Sequence, residues 1–172
     1  TMTVYSADFN HNGTRVVTSS IDRTAKIWEV DSGELLHTLT HSKTVTSASF
    51  SPDGSKVVTA SDDETARIWE VDSGALFQTL EGHGGWVQSA SFSPDGSKVV
   101  TTSHDKTAKI WDVSLGRVLH TLNGHTSSVK SAAFSPDGTM VVTASHDKTA
   151  KVWGVSSGDL LKTLEDHTKS VT

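Results

Sequence analysis

The chain has 172 residues, a net charge of −5 with histidine counted as neutral, 34% hydrophobic residues and no cysteine. This length allows one medium-sized domain with its own core. The lack of cysteine excludes a disulfide framework and thiolate metal sites, and the acidic balance argues against nucleic acid as a partner. No apolar run is long enough for a membrane span and no signal-peptide pattern opens the sequence, so we expect no membrane partner and a cytoplasmic location.

The sequence consists of four copies of one unit, which we interpret as a single domain over residues 1–172. Tryptophans recur at steps of 41, 42 and 42 residues, at Trp28, Trp69, Trp111 and Trp153. Histidines recur at steps of 42 residues, at His41, His83, His125 and His167. The predicted units cover residues 1–40, 41–82, 83–124 and 125–167, and residues 168–172 begin the first strand of a further unit.

Four short strands are predicted in each unit, and the second unit shows the pattern. Its β-branched and small residues predict strands over 45–50, 56–61, 65–71 and 75–80. Residues 51–54 read Ser-Pro-Asp-Gly, which suits a type I turn, and no segment has a helical period of useful length. Four antiparallel strands in a unit of this length are typical of a propeller blade. We therefore predict an all-β propeller with four blades per chain.

Short motifs near the unit boundaries point to a known family. Gly82-His83 and Gly124-His125 open units, and Ile110-Trp111-Asp112 closes one. In these motifs, and over essentially its whole length, the chain resembles the WD-repeat propeller family. The resemblance implies a non-catalytic scaffold that binds a protein or a peptide.

The resemblance also implies a hydrogen-bonded chain of His, Ser or Thr, Asp and Trp within the blades. The matching positions here are His41, Ser61, Asp63 and Trp69, then His83, Ser103, Asp105 and Trp111, then His125, Ser145, Asp147 and Trp153. Such a chain gives each buried donor and acceptor a partner. The first unit has Ser20, Asp22 and Trp28 but no preceding histidine.

Two chemical alternatives use the same residue types. A Ser, a His and an Asp together suggest a hydrolase, but the set recurs in three units, and the serines lack a Gly-x-Ser-x-Gly elbow. His104 and His146 in neighbouring turns suggest a metal site, but no three ligands cluster at short spacing. We therefore expect no catalytic residues, no metal and no cofactor.

One tryptophan departs from the repeat. Trp86 stands where the other units have Thr44, Ser128 and Ser170. We predict either a binding anchor or local packing over Gly84 and Gly85, because aromatic side chains are favoured in interface hot spots but are also common at surfaces. The predicted partner-binding residues on the propeller rim are Trp86, Asp62, His104, His146, Gln88 and Lys130.

The two ends of the chain have complementary deficits. His167 has no aspartate after it, and Asp22 has no histidine before it. The chain could close on itself as four blades, belong to a longer array, or pair head to tail with a second copy into an eight-bladed ring. We favour the ring, with His167 of each copy reaching Asp22 of the other.

These observations leave three classes of function. The leading hypothesis is the scaffold with a rim for proteins or peptides. The alternatives are an architectural module that assembles with itself, or a sensor fragment of a larger regulatory protein. Because propellers have many roles, the fold alone does not decide between them.

Overall fold

The computed structural model describes residues 2–165 and 167–171, which contain sixteen strands and no helix. The strands are β1 (Val4–Phe9), β2 (Arg15–Ser20), β3 (Thr24–Glu29), β4 (Leu35–Thr40), β5 (Val45–Phe50), β6 (Lys56–Ser61), β7 (Thr65–Glu70), β8 (Leu76–Glu81), β9 (Val87–Phe92), β10 (Lys98–Ser103), β11 (Ala108–Asp112), β12 (Val118–Leu122), β13 (Val129–Phe134), β14 (Met140–Ser145), β15 (Thr149–Gly154) and β16 (Leu160–Glu165). Within this part of the chain there is accordingly no helix suited to cross a membrane.

The strands form four antiparallel sheets, each of four consecutive strands in sequence order. The all-β, four-bladed prediction is therefore confirmed. In the second unit, the strands predicted over 45–50 and 56–61 have the observed bounds, while β7 ends one residue earlier than predicted and β8 is displaced by one residue. Residues 168–171 lie outside any strand, and Thr172 of the predicted further strand lies outside the described residues.

The Ser-Pro-Asp-Gly turns fold because the aspartate satisfies the turn locally. In the second blade, Asp53 Oδ1 accepts hydrogen bonds from Ser51 Oγ at 2.6 Å and from the Ser55 backbone at 3.0 Å. Gly54 follows with φ of 71°, a left-handed conformation that glycine adopts without a Cβ penalty. These turns lie at one end of the inner strands, and the histidine loops lie at the other.

The blades stack through three apolar cores, one at each junction between consecutive blades. At the first junction, the first blade contributes Val17, Ala25, Ile27 and Leu39. The second blade contributes Val45, Phe50, Val57 and Trp69 to the same core. Inner strand β1 packs on β5, β5 on β9, and β9 on β13. Among the described residues no core joins the fourth blade to the first, so the chain forms an open arc of blades.

Candidate functional site

A hydrogen-bonded chain runs from a carboxylate to an indole in the second blade. His41 Nδ1 donates to Asp63 Oδ2 at 3.0 Å, and the Thr59 hydroxyl lies 2.7 Å from His41 Nε2. Trp69 Nε1 donates to the same Thr59 oxygen at 2.9 Å. His41 follows β4 of the first sheet, whereas its partners belong to the second. The imidazole therefore ties two neighbouring blades together.

The third and fourth blades repeat this arrangement. In the third blade the distances are 2.7, 2.7 and 2.8 Å for His83–Asp105, His83–Thr101 and Trp111–Thr101. In the fourth blade they are 2.8, 2.8 and 2.9 Å for His125–Asp147, His125–Thr143 and Trp153–Thr143. Three copies with one geometry fit a structural role in the blade better than a single reactive centre.

The hydroxyl in this chain comes from threonine, which corrects the assignment of Ser61, Ser103 and Ser145. Thr59 and Ser61 are two residues apart on β6 and point to the same face, and the imidazole Nε2 lies within hydrogen-bond distance of Thr59. Ser61 instead accepts from the Asp63 backbone at 3.1 Å and donates to the Lys43 carbonyl at 3.4 Å. The serine thus holds the aspartate turn and the loop before the inner strand.

The carboxylates of these chains are held ionised. Burial alone would raise the pKa of Asp63, but hydrogen bonds from His41, from a threonine hydroxyl and from backbone N–H lower this pKa far below its ordinary value. The pKa of Asp105 and of Asp147 is lowered by the same balance. Burial lowers the pKa of His125, partly opposed by Asp147. A neutral imidazole that donates from Nδ1 and accepts at Nε2 satisfies every partner.

The first blade has only half of this chain. Trp28 Nε1 donates to Thr18 Oγ1 at 3.0 Å, as in the other blades. Asp22 Oδ1 accepts from the backbone and the hydroxyl of Thr24 at 3.0 and 2.6 Å. Among the described residues no imidazole reaches Thr18 or Asp22.

The structure brings two of the predicted rim residues, Trp86 and His104, into contact. The Trp86 ring lies against the His104 ring, with centroids 5.2 Å apart, and 48% of Trp86 remains exposed. The backbone N–H of His104 also donates to the Trp86 carbonyl at 2.9 Å. Trp86 thus packs on a neighbouring imidazole, whereas the sequence alternative placed it over Gly84 and Gly85.

A surface pocket opens beside this tryptophan. We call it the Trp86 pocket; its volume is about 440 Å³, and it is lined by Arg23, Ser42, Lys43, Thr44, Asp62 and Trp86. These residues come from loops of the first three blades, all on the edge that carries the histidine loops. Burial raises the pKa of Asp62, opposed by the nearby His104 and by a hydrogen bond from Thr44. The pocket combines an aromatic face, two cationic side chains and one partly buried carboxylate.

The other predicted rim residues lie apart from the pocket. Lys130 Nζ donates to Gln88 Oε1, which links inner strands β13 and β9. His146 is exposed at the turn of the fourth blade that corresponds to His104. Sequence reasoning missed Arg23 and Lys43, because only the packing of neighbouring blades places their loops beside Trp86.

A larger cleft of about 680 Å³ lies at the opposite edge, between the second and third blades. Its lining includes two of the Ser-Pro-Asp-Gly turns, with Asp53 and Asp95. Hydrogen bonds from Ser93 and Ser97 lower the pKa of Asp95 to about 2, so its carboxylate already has partners within its own turn. No group of three or more histidine, cysteine, aspartate or glutamate residues in the described chain could hold a metal ion.

Comparison with known families agrees with this geometry. The family model for the WD domain, G-beta repeat, matches residues 1–29, 33–70, 74–112 and 116–154. The chain belongs to the WD-repeat family. Each later WD repeat covers one outer strand and the first three strands of the next sheet, so 33–70 contains β4 to β7. No curated protein matches the chain.

Membership of this family carries a general function. WD-repeat domains generally act as protein-interaction scaffolds and commonly bind proteins or peptides. The family is also generally non-enzymatic. This chain shares the family's architecture, with four antiparallel sheets joined by loops that differ between the blades.

Proposed function

We propose that the chain is a non-catalytic scaffold that binds a protein or peptide segment in the Trp86 pocket. One observation supports this most strongly. Trp86 is the tryptophan that departs from the repeat, and it stands half exposed beside a pocket while the other four belong to the blades. Large aromatic side chains are the anchors that most often dominate protein interfaces.

The surroundings of Trp86 favour a prepared binding surface. The contact with the His104 ring restricts the indole before a partner arrives, which lowers the entropic cost of binding. Arg23 and Lys43 offer charge at the pocket edge, and Asp62 offers a carboxylate within it. A segment with an apolar side chain for the indole and a polar or charged neighbour would use all of these groups.

The test uses peptides selected from a random displayed library on the wild-type chain, with affinities then measured by calorimetry. We expect Trp86→Ala to weaken the selected peptides by about 30-fold or more, the size of a hot-spot loss. The urea unfolding curve should change little, because Trp86 lies outside the three cores.

The matched control is Leu115→Ala, which removes another exposed apolar side chain, at the β11–β12 turn. Equal affinity of the selected peptides for the wild type and Trp86→Ala would refute the proposed pocket. A large loss of stability in Trp86→Ala would assign the residue to packing instead.

A further inference from the structure

The charge of the Trp86 pocket has the opposite sign to the charge of the whole chain. Its ionised side chains are Arg23, Lys43 and Asp62, when histidine is counted as neutral. Two cations and one carboxylate leave the lining with one net positive charge, whereas the full sequence has a net charge of −5. The pocket therefore attracts an anionic group more strongly than a cationic one.

The two cations of the pocket are not used in ion pairs within the described part of the chain. Arg23 and Lys43 are both exposed, and no carboxylate of the described residues lies within ion-pair distance of either. By contrast, Arg15 of the first blade pairs with Asp72 of the second at 2.8 Å. The charges of Arg23 and Lys43 thus remain available to a partner.

Both cations stand at positions that vary between the units. One repeat further along the chain, Glu64 takes the place of Arg23, and Gly85 takes the place of Lys43. The tryptophan of the pocket is likewise replaced, by Ser128, at its own next equivalent position. The sequence therefore combines two cations and a tryptophan at one set of equivalent positions, and the fold brings them to one pocket.

Backbone hydrogen bonds hold the loops of the pocket in place. The Arg23 carbonyl accepts from the His41 N–H at 2.9 Å, which joins a turn of the first blade to the histidine loop. The Thr44 carbonyl accepts from the Asp62 N–H at 3.0 Å, which joins two loops of the second blade. The backbone that carries the charges is therefore arranged before a partner binds, and this lowers the cost of binding.

We propose that the Trp86 pocket binds an acidic segment of a partner protein, in which an aspartate or glutamate lies beside an apolar residue. This inference rests on the proposed function and names the chemistry of its partner. The apolar side chain packs on the indole of Trp86, 48% of which is exposed. The carboxylate accepts hydrogen bonds from the Arg23 guanidinium and the Lys43 ammonium, because hydrogen bonds between ionised groups are the stronger ones.

Asp62 limits both the place and the size of the bound charge. Its carboxylate belongs to the same lining and repels a second anion, so the acidic group of the segment contacts Arg23 and Lys43 instead. A backbone N–H of the segment can donate to Asp62. One carboxylate balances the single net positive charge of the lining, whereas a phosphate group, with a charge of about −1.5 to −2, exceeds it.

The test begins with peptides selected from a random displayed library on the wild-type chain and sorted by whether Trp86→Ala weakens their binding. The Trp86-dependent peptides should be enriched in aspartate and glutamate relative to the unselected library. Calorimetry then compares one such peptide with a copy in which the acidic residue is replaced by its amide. The copy should bind about fivefold more weakly, since two exposed ion pairs are lost.

Charge changes in the pocket should alter the affinity of the acidic peptide in opposite directions. Arg23→Gln and Lys43→Gln should each weaken it by about threefold, and Asp62→Asn should strengthen it by about twofold, because the first two remove attraction and the third removes repulsion. The urea unfolding curves should change little, since all three residues lie outside the cores.

The matched control is Lys148→Gln in the fourth blade. Lys148 occupies the same position of its unit as Arg23, with φ of 72° against 73°, and it is also exposed. Its replacement removes a positive charge from the same kind of turn but from outside the pocket. The affinity of the acidic peptide should therefore equal that of the wild type.

Salt gives a second measurement of the same contact. Raising the ionic strength should weaken the acidic peptide more than its amide copy, because salt screens exposed charges. Equal salt dependence of the two peptides would contradict the ion pairs with Arg23 and Lys43.

The outcomes separate a wrong partner from a wrong pocket. Trp86-dependent peptides enriched in lysine and arginine, or full affinity in both Arg23→Gln and Lys43→Gln, would overturn the acidic partner and leave the pocket in place. A library that yields no Trp86-dependent peptide would refute the proposed function, and the acidic partner with it.

Discussion

The first and second blades differ less in sequence than in surroundings. Trp28 and Trp69 both donate to a threonine hydroxyl of their own blade at similar distances. Trp69 also lies in an inter-blade core beneath the first blade, and its threonine contacts His41. Among the residues that the structure describes, neither a blade nor an imidazole covers Trp28. The comparison shows that neighbours supply much of the stability of a repeat, as expected when each unit buries its faces only by stacking.

The largest effect is expected when each of the two tryptophans is replaced by alanine in turn. Trp69→Ala should lower the free energy of unfolding by about 3–5 kcal/mol, the usual cost of removing a buried tryptophan. Trp28→Ala should cost about half as much or less, because its ring is only partly buried. Urea unfolding of the two variants measures both values. Equal losses would mean that the covering blade contributes little.

A smaller effect is expected when the network hydroxyl is removed. Thr101→Val leaves the Trp111 N–H and the His83 Nε2 without their partner and should cost about 1–3 kcal/mol. Thr18→Val in the first blade affects the Trp28 N–H alone and should cost less than about 1 kcal/mol.

Ser103→Ala serves as the control for this pair, because Ser103 holds the turn but lies outside the imidazole–indole chain. Chemical denaturation of all three variants gives the comparison. If Ser103→Ala lowered the free energy of unfolding more than Thr101→Val, the network hydroxyl would have to be assigned to the serine, as the sequence predicted.

The smallest expected effect is the pH dependence of stability. It arises from a buried imidazole, His125, whose counterpart is not found among the described residues of the first blade. The pKa of His125 is lowered from 6.5 by burial. Between the lowered pKa of the folded state and 6.5, the unfolded chain therefore binds a proton that the folded chain does not, so stability falls as pH falls through this range. We expect the melting temperature to drop by about 1–3 °C between pH 7.5 and pH 5.5.

His125→Gln should flatten this dependence, although it also lowers the melting temperature at every pH. His11→Gln, in the exposed β1–β2 turn of the first blade, should leave the dependence unchanged. A wild-type melting temperature that rises as pH falls would contradict the assigned neutral state.

Much of the fold could be predicted because the repeat places strands, turns and tryptophans at fixed steps. The network hydroxyl could not be predicted, since Thr59 and Ser61 share one strand face and only the observed position of the imidazole distinguishes them. Trp86 could be recognised as an exception to the repeat. Its contact with His104 and the nearby Arg23 could not, because they depend on how separate blades bring their loops together.

Each histidine follows the last strand of one sheet and binds the next sheet, as His41 does. The repeat in the sequence, such as 33–70, is therefore offset by one strand from the four-stranded sheet. Any stretch of one repeat length therefore contains every group of one blade and of one joint between blades. Arrays of this kind can lengthen or shorten by one blade without inventing new contact chemistry. The loops can then vary while the joints stay the same, as Trp86 shows by standing where other units have Thr44, Ser128 and Ser170.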